Sequence, residues 1–332
     1  MKKTLRKCLG RLAISLGTTL PQLRGLLAPV GIRCAQDFFG ERTVEVPRAT
    51  GPALKLTNLD DCYLAFQLYW RGIDFYEPIT RALLHELLSP GSTFLDLGAH
   101  VGLFSLEAAL LQRDIRIFAF EPNPKNFDRL TANAKANEVR NMICEPIAVS
   151  DRDGTAMLYL AESDMSASLM KGFQSEDTVQ VGQIQVRTTT LDKYVQQKSL
   201  KAPMVIKVDI EGHEPAFFRG ATRTLAEHKP DILLEVLYEQ DRDTVASLKS
   251  LGYGFYPITD EGLVETDAPK LVKRFPFLFF NHLLSTRPKT ELGAIFERVR
   301  TKTGHIDLRK TSKHFPAAQW PQLWAEEKQT SG

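Results

Sequence analysis

The chain has 332 residues, of which 43% are hydrophobic and 25% charged, a globular composition with room for one large α/β domain or two small ones. Its net charge of +2 excludes both the bulk basicity of a nucleic-acid-coating protein and the acidic excess of a disordered one. Cys8, Cys34, Cys62 and Cys144 form no CxxC pair, which suits neither a zinc site nor a disulfide framework and points to a reducing, cytoplasmic compartment.

The first stretch, MKKTLRKCLGRLAISLGTTLPQLRGLL, sets Lys2, Lys3, Arg6, Lys7 and Arg11 before an uncharged run from Leu12 to Gln22. That order imitates a signal peptide, but Gly17, Thr18, Thr19 and Pro21 weaken the run and no small-x-small cleavage site follows. The run also falls short of the ~20 apolar residues that span a bilayer. Leu5, Cys8, Leu9 and Leu12 lie at helical spacing opposite the basic residues. This is the pattern of an amphipathic helix, one that docks on the rest of the protein or makes peripheral contact with a membrane. Residues 1–60 show no strand alternation and are expected to form an accessory region.

From Asp61 the pattern sharpens. PITRALLHELL (78–88) has helical spacing and is stopped by Ser89-Pro90-Gly91. TFLDL (93–97) reads as a strand, 103–112 as a helix, and IRIFAFE (115–121) as a second strand. A helix over 124–137 follows, with Asn123 as its N-cap, Pro124 at its first position, and Phe127, Leu130 and Ala134 on one face. MICEPIAV (142–149) reads as the third strand.

Alternation breaks between 150 and 190, where MLYL (157–160) and IQVRTTT (184–190) predict a hairpin around a polar loop. It resumes with MVIKVD (204–209), a helix from Pro215, DILLEVL (231–237), a helix near 240–250 and a strand at 253–258. FPFLFFNHLL (275–284) is the last strand, and the segment 288–332 reads as a polar tail whose composition also allows a helix. Buried strands alternating with helices indicate an α/β, doubly wound, mostly parallel sheet. Ligands of such sheets bind beyond the carboxyl ends of the strands, which directs attention to Asp96, Glu121, Asp209 and Glu235.

In DLGAHVG, Gly98 and Gly102 flank a strand-to-helix turn where a ligand is expected to approach the backbone closely. A pyrophosphate there would want bare amides and no carboxylate, so Asp96 disfavours a dinucleotide, as does the absence of GxGxxG. A carboxylate suits a ligand with a cationic amine or sulfonium, such as S-adenosylmethionine. Glu121, 25 residues on, is placed for a ribose, a feature that fits NAD equally well. IKVDIEGHEPAFFRGA (206–221) then crowds Lys207, Asp209, Glu211, His213 and Glu214 at the end of an apolar strand. Charges at that density near a buried strand are costly unless paired or functional.

These segments, with YEPITRALLHELLSPGSTFLDLGAHVGLFSL, FAFEPNPKNFDRLTAN, IAVSDRDG and RTTTLDKY, resemble the FkbM-type family of S-adenosylmethionine-dependent methyltransferases over residues 77–284. The resemblance implies the class I methyltransferase fold: a Rossmann-like seven-stranded sheet with one antiparallel strand, for which FPFLFFNHLL is the candidate. It places the catalytic domain at 61–287 and implies O-methylation of a hydroxyl on a sugar, glycolipid or secondary metabolite, with no nucleic-acid partner. It assigns Asp96, Gly98 and Gly102 to the cofactor turn, Glu121 to the ribose, and Ala148 and Ser150 to the strand end beside the adenine. Asp209, Glu211 and His213 would face the methyl group. His100 stands where the family often has Asn and reads as a turn residue bonding the backbone.

Asp209 is the first choice for orienting and deprotonating the acceptor hydroxyl, with His213 the alternative base. A metal on Asp209, Glu211 and Glu235 is the lesser alternative, and no paired ligand spacing asks for one. An NAD-dependent oxidoreductase and a non-catalytic binding protein are the competing readings.

Overall fold

The structure, a computed structural model, describes residues 2–34, 42–48, 51–57, 59, 62–161, 167–170, 180–237, 241–274, 277–308 and 311. Two helices, α1 (Lys2–Thr19) and α2 (Arg24–Cys34), lead into an antiparallel hairpin of β1 (Val44–Val46) and β2 (Leu54–Leu56). Helix α3 (Tyr63–Arg71) buries Leu68, Tyr69 and Trp70, and α4 (Pro78–Leu87) follows the periodicity of 78–88.

The alternation expected from the sequence then appears. It runs through β3 (Thr93–Leu97), α5 (Leu103–Leu111), β4 (Arg116–Phe120), α6 (Pro124–Ala136) and β5 (Met142–Glu145). Asn123 caps α6 by accepting from the Lys125 amide at 3.1 Å. After β6 (Ile147–Ser150), β7 (Gly154–Ala161), β8 (Gln180–Thr190) and α7 (Leu191–Gln197) comes β9 (Met204–Val208). Two short helices, α8 (Glu214–Arg219) and α9 (Thr222–His228), precede β10 (Asp231–Glu235), α10 (Arg242–Ser250) and β11 (Gly254–Pro257). The described chain closes with β12 (Val272–Arg274), β13 (Phe277–Phe279), β14 (Asn281–Ser285) and α11 (Lys289–Thr303).

The central sheet has seven strands in the order β11-β14-β10-β9-β3-β4-β5. Strand β14 runs antiparallel to both its neighbours, and the β10–β9, β9–β3, β3–β4 and β4–β5 pairs are parallel. This is the expected class I arrangement, with FPFLFFNHLL contributing the antiparallel strand.

Several elements differ from the expectation, each for a local reason. MICEPIAV is two strands, because Pro146 has no N–H to continue a ladder. Its first half is the edge strand β5, and its second half, β6, joins a separate sheet of order β6-β8-β7. The last apolar run divides too: β13 pairs with β12, while β14 enters the central sheet. The helix expected from Pro215 is broken near Gly220, where a Cβ would lie 2.0 Å from the Ser150 carbonyl oxygen. The stretch read as a polar tail begins with α11, which buries Leu292, Ile295, Phe296 and Val299 in the core beside α4. Residues 312–332 lie outside the described residues, as do 162–166 and 171–179 of the polar loop.

On α6 the expected apolar face is only partly buried, at Leu130. Its other buried positions are Asn126, Arg129 and Asn133, and the last of these has a structural use. Asn133 Oδ1 accepts from the Thr57 amide at 2.8 Å and Nδ2 donates to the Val101 carbonyl at 2.9 Å. Asn137 pairs with both backbone groups of Lys55, at 2.9 and 2.7 Å. A polar helix face thus ties the N-terminal hairpin to the central sheet. The largest hydrophobic core runs unbroken from Ala13 and Ile14 through Trp70 to Phe94 and Leu283.

Candidate active site

Parallel register aligns the ends of β3, β4 and β9 along one sheet edge. Asp96 lies opposite Ala119 on one side and Lys207 on the other. The turn after β3 is pinned to β4 by the amides of Gly98 and Ala99, which donate to the Phe120 carbonyl at 3.0 and 2.9 Å.

Gly98 (φ +82°) and Gly102 (φ +88°) adopt the left-handed conformation that favours glycine. The close approach at both is made by the protein itself. A Cβ on Gly98 would stand 1.9 Å from the Asp209 carbonyl oxygen, and one on Gly102 would stand 2.5 Å from Leu130 Cδ1. The glycines therefore let the loop after β9 and helix α6 close against the turn. His100 is also left-handed (φ 52°), and its amide donates to Glu121 Oε2 at 2.8 Å. That agrees with its reading as a turn residue.

Glu121 is buried at the carboxyl end of β4. Its Oε1 accepts from the Asn123 amide at 2.8 Å, so each oxygen receives one backbone donor. Burial raises its carboxyl above the ordinary range, against the field of His100 and the two amide bonds. Asp96 is 1% exposed and accepts from Ser105 Oγ at 2.6 Å. Burial raises it as well, opposed by the charge of Lys207 and the Ser105 bond.

Lys207 links the two halves of the site. Only 3% exposed, it sets its Nζ 2.7 Å from Asp209 Oδ2 and 4.6 Å from the centre of the Phe104 ring. Its charge also reaches Asp96. The sequence carried the signal, a lysine inside the apolar run MVIKV, without showing which carboxylates it meets.

The loop after β9 turns through two consecutive left-handed residues, Glu211 (φ 54°) and Gly212 (φ 91°). That reversal lets Glu214, buried at the start of α8, accept from the Gly212 amide at 3.1 Å. Burial, helped by the nearby Asp209 charge, lifts the Glu214 carboxyl to about 7 against its backbone bonds. The burial of Glu214 cannot be seen in the sequence.

His213 Nε2 lies 2.8 Å from Ser150 Oγ, and burial lowers its pKa. Ser150 and Ala148 sit on β6, in the small sheet rather than at the end of a third central strand. Ala148 packs there with Leu158 and Val186. From the insertion, Ser168 pairs with Tyr159 of β7 and donates its hydroxyl to the Glu211 carbonyl at 2.6 Å. Among the described residues, no three His, Cys, Asp or Glu side chains converge to hold a metal ion, so Asp209, Glu211 and Glu235 do not form such a cluster.

Residues 96–255 match the family model of the methyltransferase FkbM domain, the span that runs from Asp96 through Glu121, Asp209 and Glu235 to β11. This segment is an FkbM-type methyltransferase domain. The FkbM domain is similar to curated proteins over part of its length. Hexuronic acid methyltransferase AglP of Haloferax volcanii is 28% identical over 158 residues, 47% of this chain and 61% of that protein. The 31-O-demethyl-FK506 methyltransferase FkbM of Streptomyces tacrolimicus is 36% identical over 89 residues, 27% of this chain and 33% of that protein. The 2-O-methyltransferase NoeI of Sinorhizobium fredii is 25% identical over 158 residues, 44% of this chain and 64% of that protein. The chain thus spans less than two thirds of the length of each of these relatives.

Proposed function

We propose that the chain is an S-adenosylmethionine-dependent O-methyltransferase whose acceptor is a hydroxyl on a sugar, glycolipid or other small metabolite. The observation that carries the reading is Glu121. It is a buried carboxylate fixed by two backbone amides at the carboxyl end of β4, beside the Gly98–Gly102 turn. A carboxylate is acceptor-only and takes more than one donor per oxygen, so two ribose hydroxyls fit on it without displacing the amides. The relatives' names point the same way, since AglP is named for hexuronic acid and NoeI for 2-O-methylation.

In this reading Asp96, the Gly98–Gly102 turn and Glu121 hold the cofactor, which supplies a methyl carbon made electrophilic by its sulfonium. Asp209 would accept a hydrogen bond from the acceptor hydroxyl and take up its proton as the oxygen bonds the methyl carbon and the bond from that carbon to sulfur breaks, releasing S-adenosylhomocysteine. The Lys207 ammonium fixes the Asp209 carboxylate, and alignment of the two substrates supplies much of the rate. His213, its ring bonded to Ser150 and its pKa lowered by burial, is neutral at pH 7 and orients the loop of Glu211.

Residues 61–287 form the catalytic domain of this reading, with 1–60 accessory to it, and Ser168 bonds the loop of Glu211 on the acceptor side of this reading. A cytoplasmic location belongs to the same proposal. S-adenosylhomocysteine should raise the melting temperature where NAD does not, and the protein should transfer a labelled methyl group to a hexuronic-acid glycan or a related acceptor. Stabilisation by NAD alone would overturn the reading.

A further inference from the structure

Helices α1 and α2 dock on the protein by one face only. The docked face is closely built. A Cβ on Gly31 would stand 2.4 Å from the Trp70 ring, and one on Gly17 would stand 3.1 Å from the Tyr69 hydroxyl. Buried Arg24 donates to the Gly17 carbonyl at 2.8 Å and to the Glu45 carbonyl at 2.5 Å, with its guanidinium 4.3 Å from the centre of the Tyr69 ring. Ala13 and Ile14 complete the contact.

Beside that face runs a second apolar stripe that is exposed among the described residues. Leu9, Leu12 and Leu16 fall at i, i+3 and i+7, one line along α1, with exposed Leu20 just past its end. Leu12 is 56% exposed, and on α2 Leu26 is 79% exposed with Val30 close to half. A helix that had only to dock would carry polar residues on its outward side. The charge here is equally one-sided. Lys2, Lys3, Arg6, Lys7 and Arg11 occupy the first ten positions of α1, and no Asp or Glu occurs before Asp37, in a chain whose net charge is only +2. Among the described residues no helix is long and apolar enough to cross a membrane.

Exposed leucines on a basic, acid-free helix pair have the composition of an element that lies in a lipid interface and is drawn to anionic headgroups. We infer that the α1–α2 pair is a peripheral membrane-docking surface that binds an anionic bilayer, with its leucine stripe entering the headgroup–acyl boundary. Charge complementarity selects this occupant over a second copy of the chain, because two copies would bring the same basic segments together.

The test uses the purified full-length protein and sedimentation with vesicles of phosphatidylcholine alone or an equimolar mixture of phosphatidylcholine and phosphatidylglycerol. Binding is expected to the mixed vesicles, to weaken with added salt, and to be absent with phosphatidylcholine alone. The double variant Leu12→Glu, Leu26→Glu replaces exposed residues, so its melting temperature should match the parent while its partition falls about tenfold or more. A Lys2→Gln, Lys3→Gln, Lys7→Gln variant should also lose binding. Failure to bind mixed vesicles, or equal binding by the leucine variant, would overturn the inference. So would a dimer by light scattering that the leucine variant dissociates, since that would assign the stripe to a second copy.

Discussion

Two charge clusters buried among the described residues are built on opposite plans. Between α4, α5 and the N-terminal hairpin, Arg81 pairs with Glu107 through Nε and through Nη2 at 3.3 Å, while its Nη1 donates to the Ile73 and Tyr76 carbonyls at 2.7 and 3.2 Å. Arg48 approaches Glu107 at 3.5 Å from the other side. Burial would raise the Glu107 carboxyl, but the charge and hydrogen bonds of Arg81 outweigh it and hold Glu107 below the ordinary range. At the carboxyl edge the balance is reversed. Asp96 and Asp209 feel the charge of Lys207, Glu214 feels that of Asp209, and burial leaves Asp96 and Glu214 raised. Fork-shaped pairing with filled acceptors makes a brace, whereas an excess of carboxylate beside one ammonium makes a site that takes up protons and binds hydroxyls.

If the carboxyl-edge cluster is chemical, Asp209→Asn should reduce turnover by roughly 10²–10⁴-fold, the range of a general base, with little change in cofactor affinity. Near-normal turnover in Asp209→Asn with loss in His213→Ala would move the base to His213. The brace should fail differently. Arg81→Ala leaves Glu107 buried without its main partner and should cost about 3–5 kcal/mol of stability in denaturant unfolding. A loss below about 1 kcal/mol would show that Arg48 alone satisfies the carboxylate.

The two clusters should also respond oppositely to pH. The Glu214 carboxyl, raised from 4.5 to about 7, keeps its proton longer in the folded state than in the unfolded one. The stability it contributes is complete below pH 4.5 and is lost as pH rises through about 7. Glu214→Gln should therefore gain on the parent as pH rises between those limits, by about 3 kcal/mol once pH passes 7. In the brace, burial lowers His85 from 6.5 to about 4, so its contribution is present above pH 6.5 and is lost as pH falls toward 4. His85→Gln should flatten that acid-side fall. Unfolding midpoints measured across this range check both, and parallel curves for parent and variants would contradict them.

Much of the site was legible because its carboxylates end apolar strands. TFLDL, IFAFE and MVIKVD deliver Asp96, Glu121 and Asp209 to one edge once the sheet is parallel, and the register does so. What escaped depended on contacts distant in sequence. The Gly98 approach to Asp209, the Ser150–His213 bond and the Asn133–Thr57 tie each join separate elements, and no local pattern encodes them. The split at Pro146 is a different kind of case, since the proline was visible and the continuous apolar run around it concealed its effect. The buried face of α11 was hidden by charged neighbours, its apolar positions being diluted among Lys, Arg, Glu and Thr.

The central claim is that the carboxyl-edge cluster is a methyl-donor site anchored by Glu121. Titration calorimetry with S-adenosylhomocysteine tests it, comparing the parent with Glu121→Ala and Asp96→Ala under one buffer. The parent should bind, and each variant should lose about 1.5–3 kcal/mol, the scale of a hydrogen bond to a charged group, with cooperative unfolding retained. No binding by the parent, or equal affinity in all three proteins, would contradict it.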